Sequence, residues 1–176
     1  MVVAIYNVRT LPVEGRNGYG HAEYVLAKAR QIGCDFVGLH ETGRAGKTMF
    51  STAEYRGFYS GQETDGRQGL YVVGSAVKET IFRKSISTHH LIDERLMSMR
   101  FELTGESVAI NLVVAYAPTE PTPTQPKEEY QKKLGHMVEQ ISTKECLFVL
   151  VDTNARTGKR MDGCGDGRVI GAYGRA

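Results

Sequence analysis

The sequence predicts an α/β fold, and three observations carry that reading. First, residues 1–6, 108–115 and 146–151 are near-continuous apolar, β-type runs, the pattern of strands buried on both faces rather than on one. Second, Ala22, Val25, Leu26, Ala29 and Ile32, and again Tyr130, Leu134, Met137, Val138 and Ile141, recur at helical spacing, so each segment presents one apolar stripe. Third, these segments follow one another along an undivided chain of 176 residues with no internal repeat and no linker, which makes residues 1–176 a single domain.

Taken in order, the first run ends at Asn7, and residues 10–20 are punctuated as a loop by Pro12, Gly15, Gly18 and Gly20. The first helix follows, with Gly33 standing where a C-terminal cap belongs. Residues 34–39 form a second strand leading into His40-Glu41-Thr42. Residues 43–67 are glycine-rich with little periodicity and read as loop, apart from a short strand around Phe58. Residues 69–77, 96–103 and 107–115 are strands, and Thr104-Gly105-Glu106 is the turn of a hairpin between the last two. A Pro- and Thr-rich connection leads to the second helix, whose first turn takes Pro126 and the Glu128/Glu129 pair. The final strand, 146–151, runs into Asp152-Thr153-Asn154, and residues 158–176 read as a Gly- and Arg-rich surface loop. The two helices cover one face of the buried sheet and no other segment reads as cover for the second. An open apolar face is therefore expected, with self-association or a protein partner to cover it.

Composition narrows the function classes. A hydrophobic content of 41% with 24% charged residues describes a soluble globular protein. No run reaches membrane-spanning length and no signal-peptide layout opens the chain. Cys34, Cys146 and Cys164 share no metal-site or disulfide spacing. An intracellular setting, nuclear or cytoplasmic, is expected. A net charge of +2 does not by itself announce nucleic acid.

The chemistry sits at strand ends. Asn7, Glu41, Tyr116 and the Asp152/Asn154 pair each follow an apolar run directly, so they can gather along one edge of a sheet. Asp152 and Asn154 are two apart and leave an extended backbone on the same face. Such a set suits metal-assisted phosphodiester hydrolysis. A hard oxygen ligand such as Glu41 suits Mg²⁺, with Mn²⁺ as the alternative ion, and Mg²⁺ polarises a phosphoryl oxygen. Asp152 would position or deprotonate the attacking water, while Asn7, Asn154 and the Tyr116 hydroxyl would hold phosphate oxygens. Arg9, Arg95, Arg100 and Arg156, with Lys159, Arg160 and Arg168, are candidates for contacts to a nucleic-acid backbone.

Five segments in order, YNVRT at 6–10, GLHET at 38–42, RLMSMRFEL at 95–103, VVAYAPT at 113–119 and VDTNARTG at 151–158, resemble the endonuclease/exonuclease/phosphatase superfamily. The resemblance is strongest to the apurinic-like endonuclease domain of LINE-type retroelements and to craniofacial development protein 2-like proteins. It implies a DNase I-like two-sheet α/β sandwich, nucleic acid as partner, Glu41 as metal ligand, Asn7 as active-site amide, Tyr116 as phosphate-site hydroxyl, Asp152 as water-orienting carboxylate and Asn154 as its neighbour at the phosphoryl group. Two local departures leave those groups intact: His40 stands where the family often has Gln, and Val151-Asp152-Thr153-Asn154 replaces Gly-Asp-aromatic-Asn. A larger departure is that the family's C-terminal Ser-Asp-His signature has no counterpart, the last histidine being His136. The resemblance thus implies the first sheet and flanking helices of such a sandwich with its C-terminal part missing, weak or inactive alone. The alternative is a catalytically dead module that binds nucleic acid or protein.

Three other motifs are weaker. Gly43-Arg44-Ala45-Gly46-Lys47-Thr48 resembles the end of a phosphate-binding loop, but the required glycine position is occupied by Glu41. Asp162-Gly163-Cys164-Gly165-Asp166-Gly167 lacks the spaced acidic ligands of a calcium loop. His89 and His90, adjacent on a strand, face opposite ways and read as surface.

Overall fold

The computed structural model describes residues 1–8, 21–62 and 72–154. The elements follow in the order β1 (Val3–Asn7), α1 (His21–Gln31), β2 (Phe36–His40), β3 (Lys47–Ser51), β4 (Tyr55–Ser60), β5 (Val73–Lys78), α2 (Glu79–Phe82), β6 (Ser85–Asp93), β7 (Leu96–Leu103), β8 (Ile110–Tyr116), α3 (Thr124–Glu139) and β9 (Cys146–Asp152). They form two sheets, ordered β1-β2-β5-β4-β3 and β6-β7-β8-β9. Each sheet holds one parallel pair, β1 with β2 and β8 with β9, and every other pairing is antiparallel.

The sheets pack face to face. Phe36, Phe58, Val73 and Val77 from the first meet Met97, Met99, Phe101, Leu112, Val114 and Leu150 from the second in one apolar cluster. Leu26 and Ala29 of α1 cover the outer face of the first sheet against Val37, Leu39, Tyr55 and Ala76. Tyr130 and Met137 of α3 cover the outer face of the second against Leu96, Val113 and Ala115. The layers are therefore helix, sheet, sheet, helix, an α/β sandwich with a single inter-sheet core.

That arrangement corrects the expectation of an open apolar face. Strands of both sheets lie within this chain, and each sheet buries its second face on the other. The expectation rested on placing all the buried strands in one sheet, where two helices cannot cover both faces. Divided between two sheets, the same strands need only one helix on each outer face. What the described residues leave unpaired is the sheet edges, β1 and β3 in the first and β6 and β9 in the second. The apolar runs of β1 and β9 are accordingly half exposed rather than buried throughout.

The region from residue 43 differs in part. The short strand expected around Phe58 is β4, and β3, expected as loop, pairs with it, with Phe50 directly across from Gly57. Gly57 has no Cβ, and the Phe50 ring occupies that space and stacks on Tyr59 at 4.6 Å; aromatic cover of a strand glycine stabilises the pair. Strand β6, which no sequence pattern marks, forms the outer edge of the second sheet. His89 and His90 within it are both exposed, His89 resting 4.4 Å from the Phe58 ring. The first helix ends as expected: Gly33 has φ +73°, and the Gly33 and Cys34 N–H groups donate to the Arg30 and Ala29 carbonyls. Helix α3 begins at Thr124, earlier than expected, which leaves Pro126 in its first turn and moves Glu128 and Glu129 beyond it.

Candidate functional site

Both parallel pairs end at the same rim of the sandwich, and this brings the candidate residues together. Asn7 closes β1 and Glu41 follows β2; Tyr116 closes β8 and Asp152 closes β9. Within the second sheet Tyr116 and Asp152 are directly paired. The contact across the sheets is close because β2 carries Gly38. A Cβ there would stand 2.9 Å from Leu150 Cδ1 and 3.1 Å from Leu150 Cβ. Only a glycine lets β2 and β9 approach so nearly just beneath the site.

Side-chain geometry ties the four strand ends into one cluster. The Asn7 Nδ2 donates to Glu41 Oε1 at 2.8 Å and to Asp152 Oδ2 at 3.0 Å. Both carboxylates thus share one amide nitrogen and lie no further apart than those two bonds laid end to end. The Tyr116 hydroxyl donates to the same Glu41 Oε1 at 2.9 Å. Burial, followed by this bond to Glu41, pushes the Tyr116 hydroxyl up to about 12, so it is a proton donor at neutral pH. Asp152 Oδ1 accepts the Asn154 backbone N–H at 3.0 Å, and the Asn154 Nδ2 donates to the Ala117 carbonyl at 2.6 Å. Asp152 is thereby oriented through both oxygens.

Glu41 and Asn154 are the two non-glycine residues with positive φ among the described residues, +55° and +46°. Side chains with a Cβ rarely adopt that region, at a cost on the order of 1 kcal/mol each, and such strain clusters where a side chain must point in one direction.

The predicted basic residues divide. Arg95 lies at the site: its guanidinium sits 5.7 Å from the Tyr116 ring and reaches the Tyr116 and Ala117 carbonyls at 3.5 and 3.4 Å. Arg100 does not join the cluster. Two bonds of 3.2 and 2.7 Å hold it to Glu145, it also contacts Glu102, and Asn111 donates to the same Glu145 carboxylate. Arg9 and Arg156 lie outside the described residues, as do Lys159, Arg160 and Arg168 and the glycine-rich segment at 162–167. Lys47 and Thr48, in the motif resembling a phosphate-binding loop, open strand β3 rather than a helix.

Beside Asp152 and Asn154 runs a cleft of about 1130 Å³, lined also by Ala117, Pro118, Glu120, Lys127, Tyr130 and Gln131. Sequence reasoning does not single out its helical wall. Lys127, Tyr130 and Gln131 fall at i, i+3 and i+4 of α3, a spacing that does mark one helix face, but the apolar stripe already accounts for Tyr130.

The donors suit a hard cation. Mg²⁺ uses one or two carboxylates and keeps waters for the rest of its shell, and Glu41 and Asp152 present two carboxylates bridged by one small amide. No group of three or more His, Cys, Asp or Glu is arranged as a metal cage among the described residues.

No family model matches the chain. Over 158 residues, 90% of its length, it is 23% identical to craniofacial development protein 2 of Bos taurus, and it is 22% identical to the same protein of Tragulus javanicus. The chain spans about a quarter of those relatives' length. Among solved structures, the AP endonuclease LMAP of Leishmania major superposes with a TM-score of 0.56 at 14% identity, covering 88% of this chain and 54% of that one. The human Nocturnin catalytic domain gives a TM-score of 0.54 at 13% identity, over 74% of this chain and 55% of that one. The D. rerio TDP2 structure, a complex with a single-strand DNA product, also gives 0.54 at 13% identity, over 88% and 60%. These likenesses show the fold that the chain shares with the solved structures. Its two sheets form a DNase I-like α/β sandwich. No helix among the described residues is long and apolar enough to cross a membrane.

Proposed function

We propose that the cluster of Asn7, Glu41, Tyr116 and Asp152 is the active-site part of a metal-dependent phosphodiesterase acting on nucleic acid. The observation that carries this reading is the single Asn7 amide shared by Glu41 and Asp152. It supports two carboxylates close enough to serve one phosphate between them.

In this reading Asp152, held at both oxygens, takes a proton from a water aimed at phosphorus. The new bond joins the water oxygen to phosphorus while the bond to the departing sugar oxygen breaks, and that oxygen leaves with the electron pair and takes a proton from solvent water. The amide of Asn7 and the protonated hydroxyl of Tyr116 turn from Glu41 to the phosphoryl oxygens as negative charge develops there. Glu41, with Asp152 joined to it through the Asn7 amide, would hold Mg²⁺ or Mn²⁺, and when bound the ion would supply charge neutralisation at the phosphoryl oxygens. Arg95 keeps Tyr116 in place through its carbonyl contacts and its position over the ring. The cleft past Pro118 and Tyr130 has room for nucleotides flanking the scissile bond.

A second reading, a module that binds nucleic acid or protein without turnover, is favoured by a separate observation. Among the described residues β1 and β9 are neighbouring sheet edges that carry exposed Ile5 and Val149, and unpaired edges are sites for strand addition. Nicking of supercoiled plasmid in Mg²⁺ separates the two. Slow nicking by the wild type, lost in Asp152→Ala, supports the enzyme; equal background from both proteins leaves the binding module.

A further inference from the structure

Tyr130 carries a hydroxyl that its packing does not use. The ring lies in the cluster of Leu96, Val113, Ala115 and Met137 that joins α3 to the second sheet, and the residue is 8% exposed. The hydroxyl oxygen is buried and has no hydrogen-bond partner. A phenylalanine would pack as well without leaving a buried polar group unbonded, which costs stability. The run of the helix says where the hydroxyl points. β8 ends at the rim with Tyr116, and α3 starts one short connection later at Thr124, so its first turns lie at the rim. Helix side chains lean toward the N-terminus, which aims Tyr130 at the rim as well. There it lines the cleft of about 1130 Å³ together with Asp152, Thr153 and Asn154, and also a smaller cavity of about 160 Å³ that shares Pro118 with it. Burial pushes the hydroxyl up to about 12, so it is a proton donor at neutral pH.

Charge narrows what this donor can meet. The cleft lining sets the carboxylates of Glu120 and Asp152 against the ammonium of Lys127, which donates to the Glu120 carbonyl at 2.7 Å. A second phosphate would face net negative charge there, and a neutral acceptor would not. We propose that Tyr130 is a binding residue of this cleft: its hydroxyl donates to a neutral oxygen acceptor, a sugar hydroxyl or a base carbonyl, on the nucleoside next to the phosphate at the Asn7, Glu41 and Asp152 cluster. The inference rests on the proposed function for the ligand being a nucleic acid. A ligand that brings the acceptor completes a buried donor, and an analogue without it leaves the donor unbonded, which is how a site selects for one polar group.

Tyr130→Phe removes the oxygen and keeps the ring. Its urea midpoint is expected at or above that of wild type; a lower midpoint would show that the fold itself uses the hydroxyl, and would overturn the proposal. Fluorescence anisotropy with single-stranded DNA and RNA oligonucleotides, in Ca²⁺ in place of Mg²⁺ to hold back turnover, is the binding arm. The variant is expected to bind about three- to tenfold more weakly, the worth of one neutral hydrogen bond. A loss confined to RNA assigns the acceptor to the ribose 2′-hydroxyl, and an equal loss on both assigns it to a base. Equal affinity of wild type and variant for both oligonucleotides, or no binding by wild type, overturns the proposal. Plasmid nicking separates it from the catalytic reading. Nicking that needs Asp152, beside unchanged oligonucleotide binding in Tyr130→Phe, removes the Tyr130 contact and leaves the active site standing. Binding that needs the Tyr130 hydroxyl in a protein that does not nick leaves the contact and removes the catalysis.

Discussion

Replacing Gly38 by alanine probes how closely the sheets must approach beneath the site. The new methyl would meet Leu150 Cδ1 at 2.9 Å, Leu150 Cβ at 3.1 Å and Val114 Cγ1 at 3.6 Å. Carbon atoms rest comfortably at about 3.5–4.0 Å. The Cδ1 can swing away, but Leu150 Cβ is fixed to the β9 backbone, so the sheets must part by a few tenths of an ångström. Overpacking of this kind costs about 1–3 kcal/mol, and removing a strand glycine returns about 0.5–1 kcal/mol. A net destabilisation of about 1–2 kcal/mol is expected, read as a lower urea midpoint at unchanged slope. Leu150→Ala alone should cost about 2–5 kcal/mol, because it leaves a cavity. In the double variant the methyl added at position 38 enters the space vacated by the Leu150 side chain. The two costs should then fall short of additivity by about 1 kcal/mol or more. A neutral Gly38→Ala, or strictly additive costs, would refute the close approach of β2 and β9.

Three further outcomes are expected. Tyr116→Phe should keep its midpoint within about 1 kcal/mol of wild type, since Glu41 retains the Asn7 bond and gains water, while any nicking activity falls; unchanged nicking would remove the hydroxyl from the site. The Arg56 and Arg83 guanidiniums hold the Glu79 carboxyl below its ordinary value. Its contribution is therefore present above about pH 4.5 and lost as the pH falls through the lower folded value. Arg83 is exposed while Arg56 and Glu79 are part-buried, and with solvent screening the contribution is about 1 kcal/mol; acid titration of Glu79→Gln should show a shallower loss of stability below about pH 4.5 than wild type. Arg100→Ala should lower stability without altering affinity for a fluorescent oligonucleotide, because its partners are Glu145 and Glu102; weaker oligonucleotide binding at unchanged stability would contradict that.

What the sequence made legible, and what it did not, follows from how local each signal is. A glycine after a helical stripe and an apolar run ending in a polar group are local patterns, and α1, β2, β8 and β9 follow them. The Thr104-Gly105-Glu106 turn is another: Gly105 has φ +88° and Glu106 N–H donates to the Leu103 carbonyl. The division into two sheets is not local. β5 inserts between β2 and β4, and β8 between β7 and β9, so partners distant in sequence decide which face each strand buries. β3 and β6 escape notice because they are edge strands with mostly exposed side chains, which carry little apolar alternation. The same holds for the site. Asn7, Glu41, Tyr116 and Asp152 are visible as strand ends, but not that one Asn7 amide joins the two carboxylates. Nor can Arg100 be separated from Arg95. Their difference is set by Glu145, 45 residues away from Arg100, reaching across the second sheet.

The pairing of Glu41 with Asp152 across the two sheets is tested most directly by an anomalous difference map from a crystal of the protein soaked in Mn²⁺. The expected result is one strong peak about 2.1 Å from a Glu41 carboxylate oxygen, on the side facing Asp152, and absent from a Glu41→Ala crystal. A peak elsewhere, or none at concentrations that saturate ordinary magnesium sites, would contradict it.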